Sequence, residues 1–253
     1  MLFPIADENY DRRTTPVVNY LLILVNVFVF VFLQGFGNNE KFTYAFSTVP
    51  KEIVTGKDIV TSDRITVQPF TGQRFEMPGL QPTPIPVYLT LITSMFMHGS
   101  IAHIFFNMLF LFIFGDNIED RLGHIRYLIF YLVCGVLAGL AHVFATAAFA
   151  GGNEASLLVP SLGASGAISG VLGAYILLFP TNRVIVLLGW FAMPMPAFMA
   201  IGLWFVLQLI NGLGVLGSGS QQGGVAYAAH IGGFIAGLVL INVFVIGRRK
   251  AVS

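Results

Sequence analysis

Ionisable side chains are scarce in this chain: of its 253 residues, Asp, Glu, Lys and Arg make up 10%, against about a quarter in an ordinary soluble domain. A water-soluble monomer of this composition would have too little charge to cover its surface. Cysteine is scarcer still. The single Cys134 excludes a disulfide framework and a thiolate zinc site, and no H-E-x-x-H pattern or acid-rich histidine cluster suggests another metal site. With a net charge of +1 and no basic stripe, the chain also lacks the clustered Lys and Arg that nucleic-acid binding requires. The first apolar stretch is preceded by Asp7, Glu8 and Asp11, which offset Arg12 and Arg13, and ends in Gln34-Gly35-Phe36-Gly37 rather than a small-residue cleavage site. It is expected to be a retained span rather than a cleaved signal.

What remains is apolar. Hydrophobic residues form 56% of the chain, and every acid and base falls in 7–13, 40–76, 116–126, Glu154, Arg183 or 248–250. Between these islands lie uncharged runs at roughly 17–36, 89–114, 127–149, 162–180, 196–213 and 225–247. About 20 helical residues, rising about 1.5 Å each, cross the ~30 Å hydrocarbon core of a bilayer. The expectation is an all-α, multi-pass membrane protein with six spanning helices over 17–247. It is flanked by an N-terminal segment, 1–16, and a tail, 248–253, and carries a long loop at 37–88. Six spans put both termini on one side, with Arg12, Arg13, Arg121, Arg126, Arg183, Arg248, Arg249 and Lys250, while the short loops 150–161 and 214–224 have no basic residue. By the positive-inside rule both termini are cytoplasmic. Pro194 and Pro196 interrupt the uncharged stretch 184–213, so the fifth helix is expected to start near Pro196, with 184–193 as an interfacial or partly embedded connection.

Polar groups recur within about two turns of the outer ends of three of these spans. The second has His98, His103 and Asn107, the fourth Ser165 and Ser169, and the sixth His230. Polar side chains at membrane depth are costly unless paired or facing water, and so point to function. At about 100° per residue, His103 and Asn107 share a helix face, while His98 lies about 140° from His103. His230, Gly233 and Gly237 form one stripe, and Gly166, Gly170 and Gly173 another, with Ser165 one position off it. Small-residue stripes let helices approach closely, and if these two face each other, Ser165 and His230 come within hydrogen-bond reach. A histidine kept neutral by burial is a competent base for a serine hydroxyl. No Asp or Glu lies inside any run, so the pair would act as a dyad. His103, Asn107 and backbone N–H groups near Gly163-Ala164-Ser165-Gly166 are candidate donors to an oxyanion.

Those motifs, Gly163-Ala164-Ser165-Gly166, Ala229-His230-Ile231-Gly232-Gly233-Phe234-Ile235-Ala236-Gly237 and His98-x4-His103-x3-Asn107, resemble those of the rhomboid intramembrane serine proteases of bacterial type. The resemblance runs through 17–247 and includes Phe114-Gly115-Asp116-Asn117-Ile118-Glu119-Asp120-Arg121-Leu122-Gly123. It implies cleavage of membrane-protein substrates, single-span or otherwise, near the outer end of a transmembrane segment. Ser165 would be the nucleophile and His230 the base and then the acid. His103, Asn107 and the Ser165 backbone N–H would form the oxyanion hole, with no cofactor and no metal. A bacterial inner membrane, with the site opening outward, would be its location. The loop 37–88, with Phe42, Tyr44, Phe46, Phe70 and Phe75, matches the family's loop in the outer leaflet. Two features depart from the family pattern: Ser169 stands where some members carry a Tyr packed on the histidine, and 37–88 has no Trp.

Plainer roles compete at several positions. His103 and Asn107 also suit an interhelical hydrogen-bond pair, His98 a structural or interfacial role, and Glu119 and Arg121 a cytoplasmic loop network. The uncharged stretch Gly217–Gly224 fits a linker or a mobile cap equally well. For the whole chain the alternatives are a catalytically inactive rhomboid-like binder of membrane helices and a small channel or transporter. The presence of both Ser165 and His230 opposes the first, and the lack of an intramembrane acid or an internal repeat opposes the second.

Overall fold

The computed structural model of the chain describes residues 2–8, 12–67, 74–149, 154–189, 191–218 and 224–247. The first apolar run begins as helix α1 (Val17–Phe28) and continues through a π-helical turn (Val29–Leu33). Its N-terminus follows Pro16 and has no side-chain cap of its own. Glu119, from a different helix, supplies the acceptors instead, taking the N–H groups of Val18 at 2.9 Å and Asn19 at 2.6 Å. A carboxylate there also complements the positive end of the helix dipole.

The loop 37–88 has structure of its own. It holds α2 (Glu40–Ala45), α3 (Pro50–Thr55) and a hairpin of β2 (Arg64–Val67) with β3 (Arg74–Met77). Phe42 and Phe46 pack at a tilt of 41°, with ring centroids 4.7 Å apart. Phe70 and the side chain of Phe75 lie outside the described residues.

The second run, expected as one span over 89–114, is divided. A short helix α4 (Thr90–Thr93) is flanked by 3-10 turns, the second of which ends at Phe96, and a separate helix α5 runs from Ile101 to Leu122. Met97 is extended, and Ser100 caps α5 by accepting from the His103 N–H at 3.1 Å. The helix also outlasts the apolar run by two turns. Its terminal polar residues are buried but paired: Asp116 with Arg12 at 2.7 Å, Asn117 with Asp7 at 2.6 Å, and Glu119 with the start of α1.

Helix α6 (His124–Phe149) follows directly, with Tyr127, Phe130, Tyr131 and Cys134 fully buried against α5 and α8 (Ser165–Leu178). The short α7 (Glu154–Leu157) lies between them. Helix α8 is flanked by α6 and by α10 (Gly224–Phe244), and α9 (Ala197–Ser218) packs on α10 from outside. Large apolar side chains such as Leu24, Phe32, Phe105, Phe144 and Val239 point outward. In water such a surface would invite aggregation, whereas in lipid it meets its own kind. Among the described residues, α5, α6 and Tyr227–Phe244 are long and apolar enough to cross a bilayer. Val17–Leu33, α8 and Ala197–Ile210 are apolar but shorter stretches.

The stretch 184–193, expected as an interfacial or partly embedded connection, forms strands. β4 (Arg183–Leu188) pairs antiparallel with β5 (Phe191–Pro196) through a turn at Gly189, and the N-terminal β1 (Leu2–Asp7) pairs with β4 from the other side. Pro194 and Pro196 sit on β5, an edge strand, where a missing N–H disrupts no ladder. Within the segment 1–16, the described residues of β1, Asp7 and Arg12 are joined to the helical body. The tail 248–253 lies outside the described residues.

Candidate active site

The segment before α8 is held from two sides. The Gly163 N–H donates to the Ser94 carbonyl at 2.8 Å, and Ser161 exchanges backbone hydrogen bonds with Thr48 of the 37–88 loop. Gly163 has φ +122°, in the region that favours glycine, and a side chain there would strike the His103 ring at 2.9 Å. This turn delivers Ser165 as the first residue of α8. The first N–H groups of a helix have no partner within it and face forward.

Across from Ser165, α10 meets α8 backbone to backbone. A methyl group on Gly233 would overlap the Gly166 carbonyl oxygen, and one on Gly237 the Gly170 carbonyl oxygen. The two stripes face each other, and His230 Nε2 lies 2.7 Å from Ser165 Oγ. The other ring nitrogen, Nδ1, lies 2.8 Å from Gln208 Oε1 on α9. Trp204, one turn earlier on α9, sets its ring 6.1 Å from the imidazole at an interplanar angle of 40°. Ser169 donates instead to the Ser165 carbonyl at 2.7 Å and is fully packed away.

Ser165 and His230 open on a cavity of about 550 Å³, whose wall includes Thr48, Met95, Gly135, Ala138 and Leu162. His103 and Asn107 are not part of that wall. His103 stands beside Gly163, its Nδ1 accepting from the Gly99 N–H at 3.4 Å. Asn107, one turn further along α5, is buried, and its amide nitrogen has no hydrogen-bond partner among the described residues. A buried donor left unpaired in the resting molecule is costly, and is the kind of group that a transient anion satisfies. His98 lies in the break before α5, so the angle computed for a continuous helix does not apply. Its backbone N–H and carbonyl are clamped by Gln34 at 2.9 and 3.0 Å, and its ring packs edge-on against His103 at 5.1 Å. Among the described residues no group of three His, Cys, Asp or Glu side chains is placed to hold a metal.

Sequence reasoning missed Gln208 and Trp204. The signal was present: Gln208 is a lone amide in the apolar stretch 197–210, four residues after one of only two tryptophans. The side chains of 211–226, which include the whole of the suspected cap, lie outside the described residues.

A model of the rhomboid domain matches residues 86–247. The chain is 29% identical over 160 residues to Rhomboid protein 1, mitochondrial, of Saccharomyces cerevisiae, a match covering 63% of this chain and 43% of that protein. It is 32% identical over 148 residues to Rhomboid protease GluP of Bacillus subtilis, covering 58% and 24%. With Rhomboid-type serine protease 2 of Emericella nidulans it shares 30% over 180 residues, covering 68% and 30%. The chain spans less than half the length of these relatives.

Proposed function

The chain belongs to the rhomboid family and is an integral membrane protein, and from that premise we propose that it is an intramembrane serine endopeptidase. The observation that carries this reading is the 2.7 Å approach of His230 Nε2 to Ser165 Oγ at the head of α8. His230 removes the hydroxyl proton as Ser165 Oγ attacks a substrate carbonyl, giving a tetrahedral oxyanion. The Ser165 backbone N–H, Asn107 and His103 are the donors available to that charge. Protonated His230 then passes its proton to the leaving amine, and the C–N bond breaks to leave an acyl-serine. Water, deprotonated by the same histidine, hydrolyses the ester and restores the serine.

The substrates are membrane proteins whose transmembrane segments reach the cavity beside Ser165. We take Val17–Leu33, α5, α6, α8, α9 and α10 as six spans, with both termini cytoplasmic in a bacterial inner membrane and the site toward the outer face. The test is incubation of the purified protein in detergent with a single-span substrate. The wild type is expected to cleave it and to be labelled at Ser165 by a fluorophosphonate, while Ser165→Ala does neither. Wild-type cleavage by a folded Ser165→Ala protein overturns the proposal. Orientation is read separately, in a Cys134→Ala background. An impermeant thiol reagent should label a cysteine at Lys57 in intact cells and not one at Thr181, and the reverse pattern inverts the bundle.

A further inference from the structure

A neutral imidazole carries one proton, and the Ser165 hydroxyl needs the bare nitrogen. With Nε2 facing Ser165 Oγ at 2.7 Å and the Gln208 amide turned so that its oxygen faces Nδ1 at 2.8 Å, one tautomer satisfies both contacts in this amide orientation. Nδ1–H donates to Gln208 Oε1, and the Nε2 lone pair is aimed at the hydroxyl. The opposite tautomer would set the bare Nδ1 lone pair against the amide oxygen, two acceptors in contact. Trp204 restrains the ring from the same helix, one turn away, so α9 supplies both a hydrogen-bond anchor and an aromatic wall.

We infer that Gln208 is the positioning residue of the catalytic base, filling the third place that no acid occupies. This inference rests on the protease reading above. Gln208 acts through His230 and touches no substrate. When the Ser165 proton moves to Nε2, the Nδ1 proton stays where it is and Gln208 neither gains nor loses one. The amide therefore selects the tautomer and fixes the ring without adding a full charge. In hydrocarbon that is a physical advantage, because an ionised carboxylate at this depth is costly to bury. It also has a signature: an amide stabilises the imidazolium less than a carboxylate in its place would, a difference that a Gln208→Glu exchange exposes.

The experiment compares wild type with Gln208→Leu and Gln208→Glu in detergent, measuring kcat, KM and the pH profile. Nitrogen chemical shifts of labelled histidine, assigned through His230→Ala, are recorded alongside. Gln208→Leu is expected to lower kcat about tenfold, less than the full contribution of a general base, with KM little changed. Its imidazole should become a mixture of tautomers, whereas the wild type holds its proton on Nδ1. Gln208→Glu should restore kcat above its acid limb and move that limb to higher pH, because a carboxylate holds the imidazolium. Unaltered kcat, pH profile and tautomer in Gln208→Leu overturn the inference and leave the protease reading intact. A wild type that neither cleaves nor takes the fluorophosphonate overturns both. The tautomer measurement needs no substrate, and melting temperature separates a misfolded variant from a mispositioned base.

Discussion

The two ends of the helical bundle handle polarity in opposite ways. At the end carrying Asp116, Asn117, Glu119 and Asp120, each of these groups has a partner. Asp116 pairs with Arg12, Asn117 with Asp7, Glu119 with the first turn of α1, and Asp120 with the Thr14 backbone and hydroxyl. At the end carrying Ser165 no acid lines the cavity, and Asn107 keeps a buried donor without a partner among the described residues. Satisfied charges specify architecture. Unsatisfied, neutral groups beside a cavity specify chemistry. The contrast implies that substitutions at one end should cost stability and leave turnover alone, and that substitutions at the other should do the reverse.

The largest effect expected is at the chemical end. Ser165→Ala and His230→Ala should each abolish cleavage while the melting temperature stays near that of wild type, and the double variant should be no worse than either single one, as groups acting as a unit behave. A large loss of melting temperature in Ser165→Ala would break the contrast. Next is Asn107→Ala, expected to lower kcat by about 10²–10³ with KM little changed, as for a donor used mainly on an oxyanion. If KM rises with kcat intact, Asn107 belongs with the architectural groups.

The opposite end is tested by Glu119→Ala. Removing the buried acceptor leaves two backbone donors of α1 unpaired, which should destabilise the fold by about 2–4 kcal/mol. Thermal unfolding in detergent measures this, and the specific activity of the folded fraction should be unchanged.

The smallest effect is a pH dependence. Burial pushes the Asp7 carboxyl up to about 7, with Asp116 adding to the shift and the bonds from Tyr175 and Asn117 opposing it. An acid raised in the folded state holds its proton more tightly there than in the unfolded chain. Its contribution to stability is full below its ordinary value of 3.8 and is lost as pH rises through about 7. Docking of β1 onto β4 should be firmer at pH 5 than at pH 8. Hydrogen exchange of the β1 amides, corrected for intrinsic rates, reads this directly. The difference should shrink in Asp7→Asn, and an undiminished one would assign the titration to another group.

Much of the chemical end was legible before any coordinates. Glycine spacing places Ser165 and His230 on facing stripes because helical periodicity is rigid and small residues leave few packing choices. The break at 97–100 was not read, because hydropathy averages smoothly across Met97 and His98. The actual signals were Gly99 and the capping Ser100. The β1–β4 pairing was hidden for another reason: it joins residues about 180 positions apart, and no local pattern carries such a contact, while the local β4–β5 hairpin was masked by the two prolines on β5. Gln208 was overlooked because a base was expected to be oriented by an acid. The paired end was read only as a loop network, since its order comes from partners in β1 and α1.

The backbone contact between α8 and α10 has a mechanical consequence. Side chains flex through their torsions, but two main chains in van der Waals contact along Gly166/Gly233 and Gly170/Gly237 have almost no soft coordinate between them. The distance from Ser165 to His230 is thus tied to a junction between two main chains rather than between side chains. Changes in bilayer thickness or lateral tension should leave the spacing of α8 and α10 nearly fixed and act on His230 chiefly through α9, which meets its ring by the Gln208 hydrogen bond and by Trp204.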